Sequence, residues 1–248
     1  MADGHGNDPT NQAPAAGQPT PDRVRGIFAR IASRYDLFNM LSSFGLDRLW
    51  RRRVARMSGA GANDDVLDIA AGTGDLALTV AHLQQPKTIV ASDFVPEMLE
   101  VAERKFERYD GPTKLSIAVA DAQALPFAED AFNVATVAFG VRNFPDRAAN
   151  FREVHRVLRP GGRYLVLEFS RPPSAIFRVL YHFYLRTVIP ALGGLLTGDK
   201  PSFDYLNESI LAFPRQEVLA EEMRSAGFSD VRWRNLTFGV VAVHVATK

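Results

Sequence analysis

The stretch VLDIAAGTGDLA, Val66–Ala77, decides the fold class. An apolar run leads into a turn with glycines at 72 and 74, and an apolar-periodic segment follows. This pattern is typical of the loop that holds a phosphate between the first strand and first helix of a dinucleotide-binding domain. Asp75, however, stands where a pyrophosphate would lie, and a carboxylate there competes for the helix amides and repels phosphate. The motif predicts an α/β domain and favours a ligand without phosphates.

Apolar runs alternate with helix-periodic segments through most of the chain, which favours a parallel sheet covered on both faces. Five runs are predicted strands: Val66–Ala70, Thr88–Asp93, Leu115–Asp121, Phe132–Phe139 and Arg163–Phe169. Near the C-terminus, Val231–Leu236 and Val240–Ala246 flank Thr237-Phe238-Gly239 and predict an antiparallel hairpin. A mostly parallel seven-stranded, Rossmann-like sheet with that ending resembles the class I S-adenosylmethionine-dependent methyltransferase fold.

Composition limits the functions to consider. The 248 residues are 46% hydrophobic, which suits one sizeable α/β domain. The 29 Lys and Arg residues nearly balance the 28 Asp and Glu residues, so the chain has no strong positive net charge to attract nucleic acid. We therefore expect no nucleic-acid partner. The absence of cysteine excludes disulfides, thiolate nucleophiles and thiolate metal sites.

Domain organisation follows from local composition. Residues 1–21 contain no large apolar side chain apart from Met1 and predict a disordered tail before a domain over 22–248. We expect lid helices at about 22–60 and an apolar insert at about 174–200. No secretory signal pattern and no run of eighteen uncharged apolar residues occurs, so we expect a cytoplasmic protein.

An acidic residue at the end of the second strand suits both candidate cofactors, whereas one at the end of the third strand helps to separate them. A carboxylate at Asp93 can accept hydrogen bonds from two ribose hydroxyls. Asp121 and the amide of Ala122 offer contacts to an adenine edge, although Asp121 alternatively caps the next turn. S-adenosylmethionine carries a sulfonium cation and no phosphate, so we expect this cofactor and no metal. The predicted cofactor-binding residues are Gly72, Thr73, Gly74, Asp93, Asp121 and Ala122.

Longer stretches identify a closer relationship. YDLFNMLSSFGLDRLWR from Tyr35, FGVRNFPD from Phe139 and NLTFGVVAVHVATK from Asn235 resemble the ubiquinone/menaquinone biosynthesis C-methyltransferase family, and the resemblance runs from about Arg25 to the C-terminus. The chain departs from the family at three positions: Phe38 replaces an aliphatic residue, Asp47 a histidine and Ala138 the serine of ubiquinone-type members. The last departure favours the menaquinone-only branch.

The resemblance implies methyl transfer from S-adenosylmethionine to a ring carbon of a polyprenyl hydroquinone, converting demethylmenaquinol to menaquinol or methylating the benzoquinol of the ubiquinone pathway. A ring carbon becomes nucleophilic when a neighbouring hydroxyl ionises, and a phenol has a pKa of about 10. Arg142 is predicted to stabilise that phenolate, and Asn143 to orient the substrate oxygens. The alternative is that Arg142 pairs with an acid and Asn143 caps a turn.

The predicted lid helix carries two further candidate catalytic residues. Tyr35 is expected against the methyl-transfer site, and Asp36 is expected to accept a proton. The alternative is a helix packed on the domain edge. Downstream, five arginines predict a solvated helix face or a contact with anionic lipid: Arg48, Arg51, Arg52, Arg53 and Arg56.

The insert Ser174–Thr197 is aromatic and apolar, with Arg178, His182 and Arg186 predicted on one helix face. It is interpreted either as a buried cap or homodimer helix, or as a wall for the prenyl tail reached from the membrane. His182 is a minor candidate base. We therefore expect reversible, peripheral membrane contact.

Two other functions compete with quinol methylation. One is another small-molecule methyltransferase with an apolar substrate, such as a sterol or phospholipid. The other is a non-catalytic protein that binds S-adenosylmethionine or RNA. Balanced charge disfavours RNA, and the acidic glycine loop together with FGVRN disfavours a loss of catalysis.

Overall fold

The computed structural model of the protein describes residues 25, 26, 28–30, 32, 35–191, 194 and 200–248. The predicted tail, residues 1–21, lies outside the described residues, as do parts of the predicted lid and insert. The described helices are α1 (Tyr35–Ser42), α2 (Leu46–Ser58), α3 (Asp75–Gln84), α4 (Pro96–Phe106), α5 (Arg147–Val157), α6 (Ala175–Phe183), α7 (Lys200–Ala212) and α8 (Gln216–Ser225). Short helical turns cover Val141–Asn143, Tyr184–Val188 and Thr237–Gly239.

One seven-stranded sheet forms the centre of the domain. Its strands are β1 (Asp65–Ile69), β2 (Thr88–Asp93), β3 (Lys114–Val119), β4 (Phe132–Ala138), β5 (Leu158–Phe169), β6 (Ser229–Leu236) and β7 (Val241–Thr247). The order is β3-β2-β1-β4-β5-β7-β6, parallel from β3 to β5 and antiparallel on both sides of β7. The predicted fold class and the terminal hairpin are confirmed.

Strand boundaries differ from the prediction where the backbone turns. β3 ends at Val119 because Asp121 instead bridges Ala124 in a tight turn. β4 ends at Ala138, and Phe139 adopts a positive φ of 60°. β5 begins at Leu158, five residues before the predicted start at Arg163, and Gly161 within it adopts a positive φ of 77°.

Apolar clusters cover both faces of the sheet. On one face α5 and α8 pack through Phe151, Val154, Leu219 and Met223. On the other face α2, α3 and α4 contribute the second cluster: Trp50, Val54, Ala77, Val80, Ala102 and Phe106. Coverage of both faces explains why the inner strands are nearly continuous apolar runs. The loops at the carboxyl ends of β1, β2, β3 and β4 meet at one edge of this core.

Candidate functional site

Two adjoining cavities lie at the carboxyl edge of the parallel strands, where ligands bind in open α/β sheets. The first, which we call the loop cavity, encloses about 870 Å³ beside the loops after β1, β2 and β3. The second, the lid cavity, encloses about 950 Å³ beneath α1, α6 and α7. Phe28, Tyr35, Phe139 and Asn143 line both. These four residues therefore lie at the boundary where the two cavities adjoin.

Asp93 lies at the centre of the loop cavity. Its Oδ2 accepts the Gly72 amide at 2.7 Å and its Oδ1 accepts the Val95 amide at 2.9 Å. Burial raises the pKa of Asp93, against the effect of these amide donors. The loop after β1 and the start of α4 are thus fastened to the same carboxylate that faces the cavity.

Asp121 and Ala122 also line the loop cavity, so the structure brings together four of the six predicted cofactor residues: Gly72, Asp93, Asp121 and Ala122. The Asp121 carboxylate accepts the Gln123 amide at 2.8 Å, which is the alternative turn-capping role. Turn capping and cavity lining therefore coexist. The described residues that line this cavity include these two carboxylates and no Lys, Arg or His.

Thr73 and Gly74 have other roles than expected. Thr73 lines a smaller neighbouring cavity with Gly72, and its hydroxyl donates to Asp36 at 2.6 Å. Gly74 lines neither cavity. Its φ is +77°, and an added Cβ would lie 2.7 Å from the Phe106 ring, so glycine here permits α3 to pack closely on α4.

The expectation that the Asp75 carboxylate occupies the helix amides is wrong. Asp75 begins α3, but its side chain turns to Lys105, 2.7 Å from Nζ. Asp68 takes that position instead, accepting the Ala77 amide at 3.1 Å and the Thr136 hydroxyl at 2.7 Å. Burial raises the pKa of Asp68 to about 7. A carboxylate does bind a backbone amide at the start of α3, but it belongs to Asp68 of β1.

Helix α1 covers the cavities as a lid. Tyr35 lines both of them. Asp36 lines neither, because its carboxylate pairs with Lys105 at 2.6 Å and accepts the Thr73 hydroxyl. The structure therefore directs Asp36 toward the glycine loop and away from the predicted role of proton acceptor in the lid cavity. Lys105 joins Asp36 to Asp75 and links the lid to α3.

Most of the surface that lines the lid cavity is apolar, and polar side chains line the rest. Its apolar lining includes Phe38, Phe139, Phe169, Leu185, Ile189 and Ile210. Arg142 lines it too, with Nη1 donating to Glu168 Oε1 at 3.0 Å and to the Phe139 carbonyl. Burial alone would lower the pKa of Arg142, but Glu168 keeps it above the ordinary value.

Arg142 and Asn143 both lie where their predicted roles require. The alternative interpretation, that Arg142 pairs with an acid, also describes its geometry, and the two are compatible because the guanidinium remains at the cavity surface. Asn143 Oδ1 accepts the Tyr205 hydroxyl at 2.9 Å. Both residues belong to the helical turn that follows β4.

A second polar group in the lid cavity was missed. Arg51, expected on a solvated face, is only 7% exposed and pairs with Asp47, which also accepts the Ser43 hydroxyl at 2.8 Å. All three side chains line the lid cavity. The Asp47–Arg51 spacing of four residues was the available signal, since such pairs meet on one helix face.

The insert has two different faces. Tyr181, Leu185 and Ile189, spaced by four residues, line the lid cavity as a wall. The opposite face exposes large apolar side chains: Ile176, Val179, Leu180 and Phe183. Arg178 and Arg186 are exposed, while His182 is half-buried, and burial lowers its pKa. The predicted apolar wall is present, but it consists of residues other than the exposed ones.

Two features are absent from the described residues. They contain no group of three or more His, Cys, Asp or Glu side chains able to hold a metal ion. No helix among them is long and apolar enough to cross a membrane.

Comparison with known proteins gives consistent results. The model of the ubiE/COQ5 methyltransferase family matches residues 18–248. The chain is 46% identical over 222 residues to a demethylmenaquinone methyltransferase of Thermus thermophilus, covering 90% of this chain and all of that protein. It is 42% identical over 229 residues to a ubiquinone/menaquinone biosynthesis C-methyltransferase of Geobacter sp., covering 92% and 97%.

Solved structures share the fold at low sequence identity. The [4+2]-cyclase SpnF superposes with a TM-score of 0.68 at 17% identity, covering 93% of this chain and 97% of that one. A Thermotoga maritima S-adenosylmethionine-dependent methyltransferase, described as a possible histamine N-methyltransferase, gives 0.64 at 19% identity, covering 90% and 99%. At these identities the likeness shows the fold alone.

Proposed function

Because the chain belongs to the ubiE/COQ5 methyltransferase family, we propose that it methylates a ring carbon of a polyprenyl hydroquinone with S-adenosylmethionine as donor. The conversion of demethylmenaquinol to menaquinol is the specific reaction proposed. Ala138, which replaces the serine of ubiquinone-type members, lines the loop cavity and supports the menaquinone branch. The observation that carries the proposal is the pair of adjoining cavities, one acidic and one apolar, with Tyr35 between them.

The loop cavity fits the proposed cofactor. Its lining carries carboxylates and no cation, which suits a sulfonium and disfavours a pyrophosphate. Asp93 would hold the ribose hydroxyls, and Asp121 and Ala122 would hold the adenine. Gly72 would form the turn against which the ribose and the adenine pack. Thr73 acts indirectly by binding Asp36 of the lid. When bound, the cofactor supplies an electrophilic methyl group, and the electrons of the broken carbon–sulfur bond remain on sulfur.

The acceptor needs an ionised oxygen next to the reacting carbon. Loss of the hydroxyl proton lets the ring carbon form the new carbon–carbon bond, and the hydrogen on that carbon leaves as a proton to restore the aromatic ring. Arg142 stabilises the developing phenolate without changing its own protonation state. Glu168 holds the guanidinium at the cavity, and Asn143, whose oxygen is bonded to Tyr205, orients the ring.

Lid closure is the role proposed for Asp36. Its bonds to Thr73 and Lys105 bring α1 onto the glycine loop and so place Tyr35 between the cavities. Closure excludes water, which strengthens the interaction of Arg142 with the phenolate.

The polyprenyl tail implies a membrane surface. The exposed face of α6 presents Val179 and Phe183 at 70% and 64% exposure, and Phe238, stacked on Phe177, adds another exposed ring beside it. Arg178 and Arg186 lie on the same segment. We propose that this surface contacts the bilayer reversibly, which gives the tail a short path into the lid cavity behind α6.

The decisive test uses the purified protein with demethylmenaquinol carrying a short prenyl chain. We expect a product heavier by one methyl group that depends on S-adenosylmethionine, and accumulation of demethylated quinol in cells that lack the protein. Methylation of a sterol or phospholipid in place of the quinol would contradict the proposal.

A further inference from the structure

Two buried polar atoms near the lid cavity have no hydrogen-bond partner in the described part of the chain. Among the described residues, Arg142 Nε and the Tyr181 hydroxyl are both buried without a hydrogen bond. Both side chains line the lid cavity. Leaving a buried donor unsatisfied is unfavourable, so most such groups in native proteins are paired. Two of them at one cavity indicate a ligand that supplies the missing acceptor.

The chemistry of the two groups defines that ligand. Arg142 Nε–H can only donate. Burial raises the pKa of Tyr181 well above its ordinary value although positive Arg142 opposes the shift, so the hydroxyl stays protonated and also donates. A ligand atom that meets either group must be an acceptor, and an oxygen that gains negative charge suits both groups best. Most of the surrounding surface is apolar, so this oxygen belongs to a largely apolar molecule.

Resting on the proposed function, we infer that Tyr181 is a substrate-binding residue whose hydroxyl, together with Arg142 Nε–H, donates to one ring oxygen of the hydroquinone. The oxygen is the one that ionises, since two donors at one atom favour its anionic form. Arg142 Nη1 already donates to Glu168 and to the Phe139 carbonyl, whereas the buried Nε has no hydrogen-bond partner among the described residues.

The position of Tyr181 separates it from its neighbour Tyr184. Both line the lid cavity, but the Tyr184 hydroxyl already donates to the Ser42 carbonyl. Removal of either hydroxyl deletes one oxygen from the same wall. Only the removal at Tyr181 deletes a donor that has no protein partner. Tyr184→Phe is therefore the matched control.

The test compares two probes, 1-naphthol and naphthalene, which differ by one hydroxyl group. Their affinities are measured by fluorescence titration of the full chain in the presence of adenosylhomocysteine. We expect Tyr181→Phe to weaken 1-naphthol binding about tenfold, because one hydrogen bond is lost, and to leave naphthalene binding within about twofold. Tyr184→Phe should keep the wild-type preference for 1-naphthol.

A pH profile supplies the second readout. In single-turnover methylation the apparent pKa of the rate should rise by about one unit in Tyr181→Phe, since a tenfold weaker stabilisation of the anion corresponds to that shift. The inference would be overturned if Tyr181→Phe kept both the preference for 1-naphthol and the wild-type pH profile. It would also be overturned if the variant lost affinity equally for 1-naphthol and naphthalene. These outcomes test the inference when the wild-type protein methylates the quinol. Failure of the wild-type protein itself to do so refutes the proposed function instead.

Discussion

Arg142 and Glu168 form a buried ion pair, with 3.0 Å between Nη1 and Oε1 and side chains only 3% and 1% exposed. Glu168 lies at the end of β5, and its other oxygen accepts the Arg142 backbone amide at 3.3 Å. The pair therefore ties β5 to the turn after β4 and fixes the guanidinium beside the Phe169 ring, 5.4 Å away. Removal of either partner has consequences for both chemistry and stability.

The first prediction concerns catalysis by Arg142. We expect Arg142→Ala to lower the single-turnover rate by about two decades or more, which is the scale of losing one donor to an oxyanion. Arg142→Lys should recover little, because an ammonium does not reproduce the planar fork. The rate of Arg142→Ala should rise more steeply between about pH 6 and 9, as bulk hydroxide replaces the lost stabilisation. Wild-type rates in Arg142→Ala would refute its assigned role.

A control for this variant follows from the ion pair. Arg142→Ala leaves Glu168 buried without its cation, which costs about 3–5 kcal/mol of stability. The double variant with Glu168→Gln removes that charge. It should recover thermal stability while the rate stays low, and recovery of the rate would attribute the original defect to misfolding.

The second prediction concerns the cofactor. Asp93→Ala should weaken binding of adenosylhomocysteine by at least tenfold, because charge-assisted hydrogen bonds are worth about 1.5–3 kcal/mol each. The variant also releases the Gly72 and Val95 amides, so a lower melting temperature is expected without ligand. Calorimetry with adenosylhomocysteine and NAD decides the matter. Unchanged affinity, or tighter binding of NAD, contradicts the assignment.

The third prediction uses the titration of Asp68. Burial raises its pKa from 3.8 to about 7. A carboxyl group whose pKa is raised on folding stabilises the protein most below the unfolded value, and this contribution is lost as the pH rises through the folded value. From about pH 4 to 7 the wild-type protein should lose on the order of 4 kcal/mol relative to Asp68→Asn.

Denaturant unfolding of both proteins across that window measures the difference. Groups with lowered pKa, such as Asp65 and Glu153, titrate in both proteins and cancel in the comparison. Parallel stability curves for the wild type and Asp68→Asn would show that the carboxyl group does not titrate in this range.

The fourth prediction concerns the membrane. Replacement of Val179 and Phe183 together by serine should lower binding to anionic liposomes at least tenfold, because two large apolar side chains no longer enter the interface. High salt should weaken wild-type binding if Arg178 and Arg186 contribute. The matched control is the double serine variant at Leu83 and Val119, which are also exposed. A serine variant that binds liposomes normally but loses a homodimer would assign the face to self-association.

The fold was predictable because it depends on patterns within short segments. The run before Gly72 and the hairpin around Gly239 identify the sheet directly. The position of Asp93 and Asp121 at one cavity was predictable, since the end of a parallel strand determines where a side chain emerges. Tyr35 and Asn143 followed from the resemblance, and both line the two cavities.

Side-chain partners distant in the chain were not predictable. Lys105 binds both Asp36 and Asp75, and nothing in the sequence indicates that α4 meets the lid. The burial of Arg51 depends likewise on how α2 packs against β4 and β5, which places its guanidinium 5.9 Å from the centroid of the Phe139 ring. The periodicity of apolar residues identifies the apolar face of a helix. The residues that cover a charged position on that helix come from other helices and strands.

The wall shared by the two cavities has a kinetic consequence. Tyr35 and Phe139 line both cavities, and Asp36, next to Tyr35, fastens the lid to Thr73 of the glycine loop and to Lys105 of α4. Occupation of the loop cavity therefore completes one side of the acceptor compartment, so the donor adds first and the quinol second. Product inhibition should show an ordered sequential pattern, in which adenosylhomocysteine competes with the donor and is noncompetitive toward the quinol.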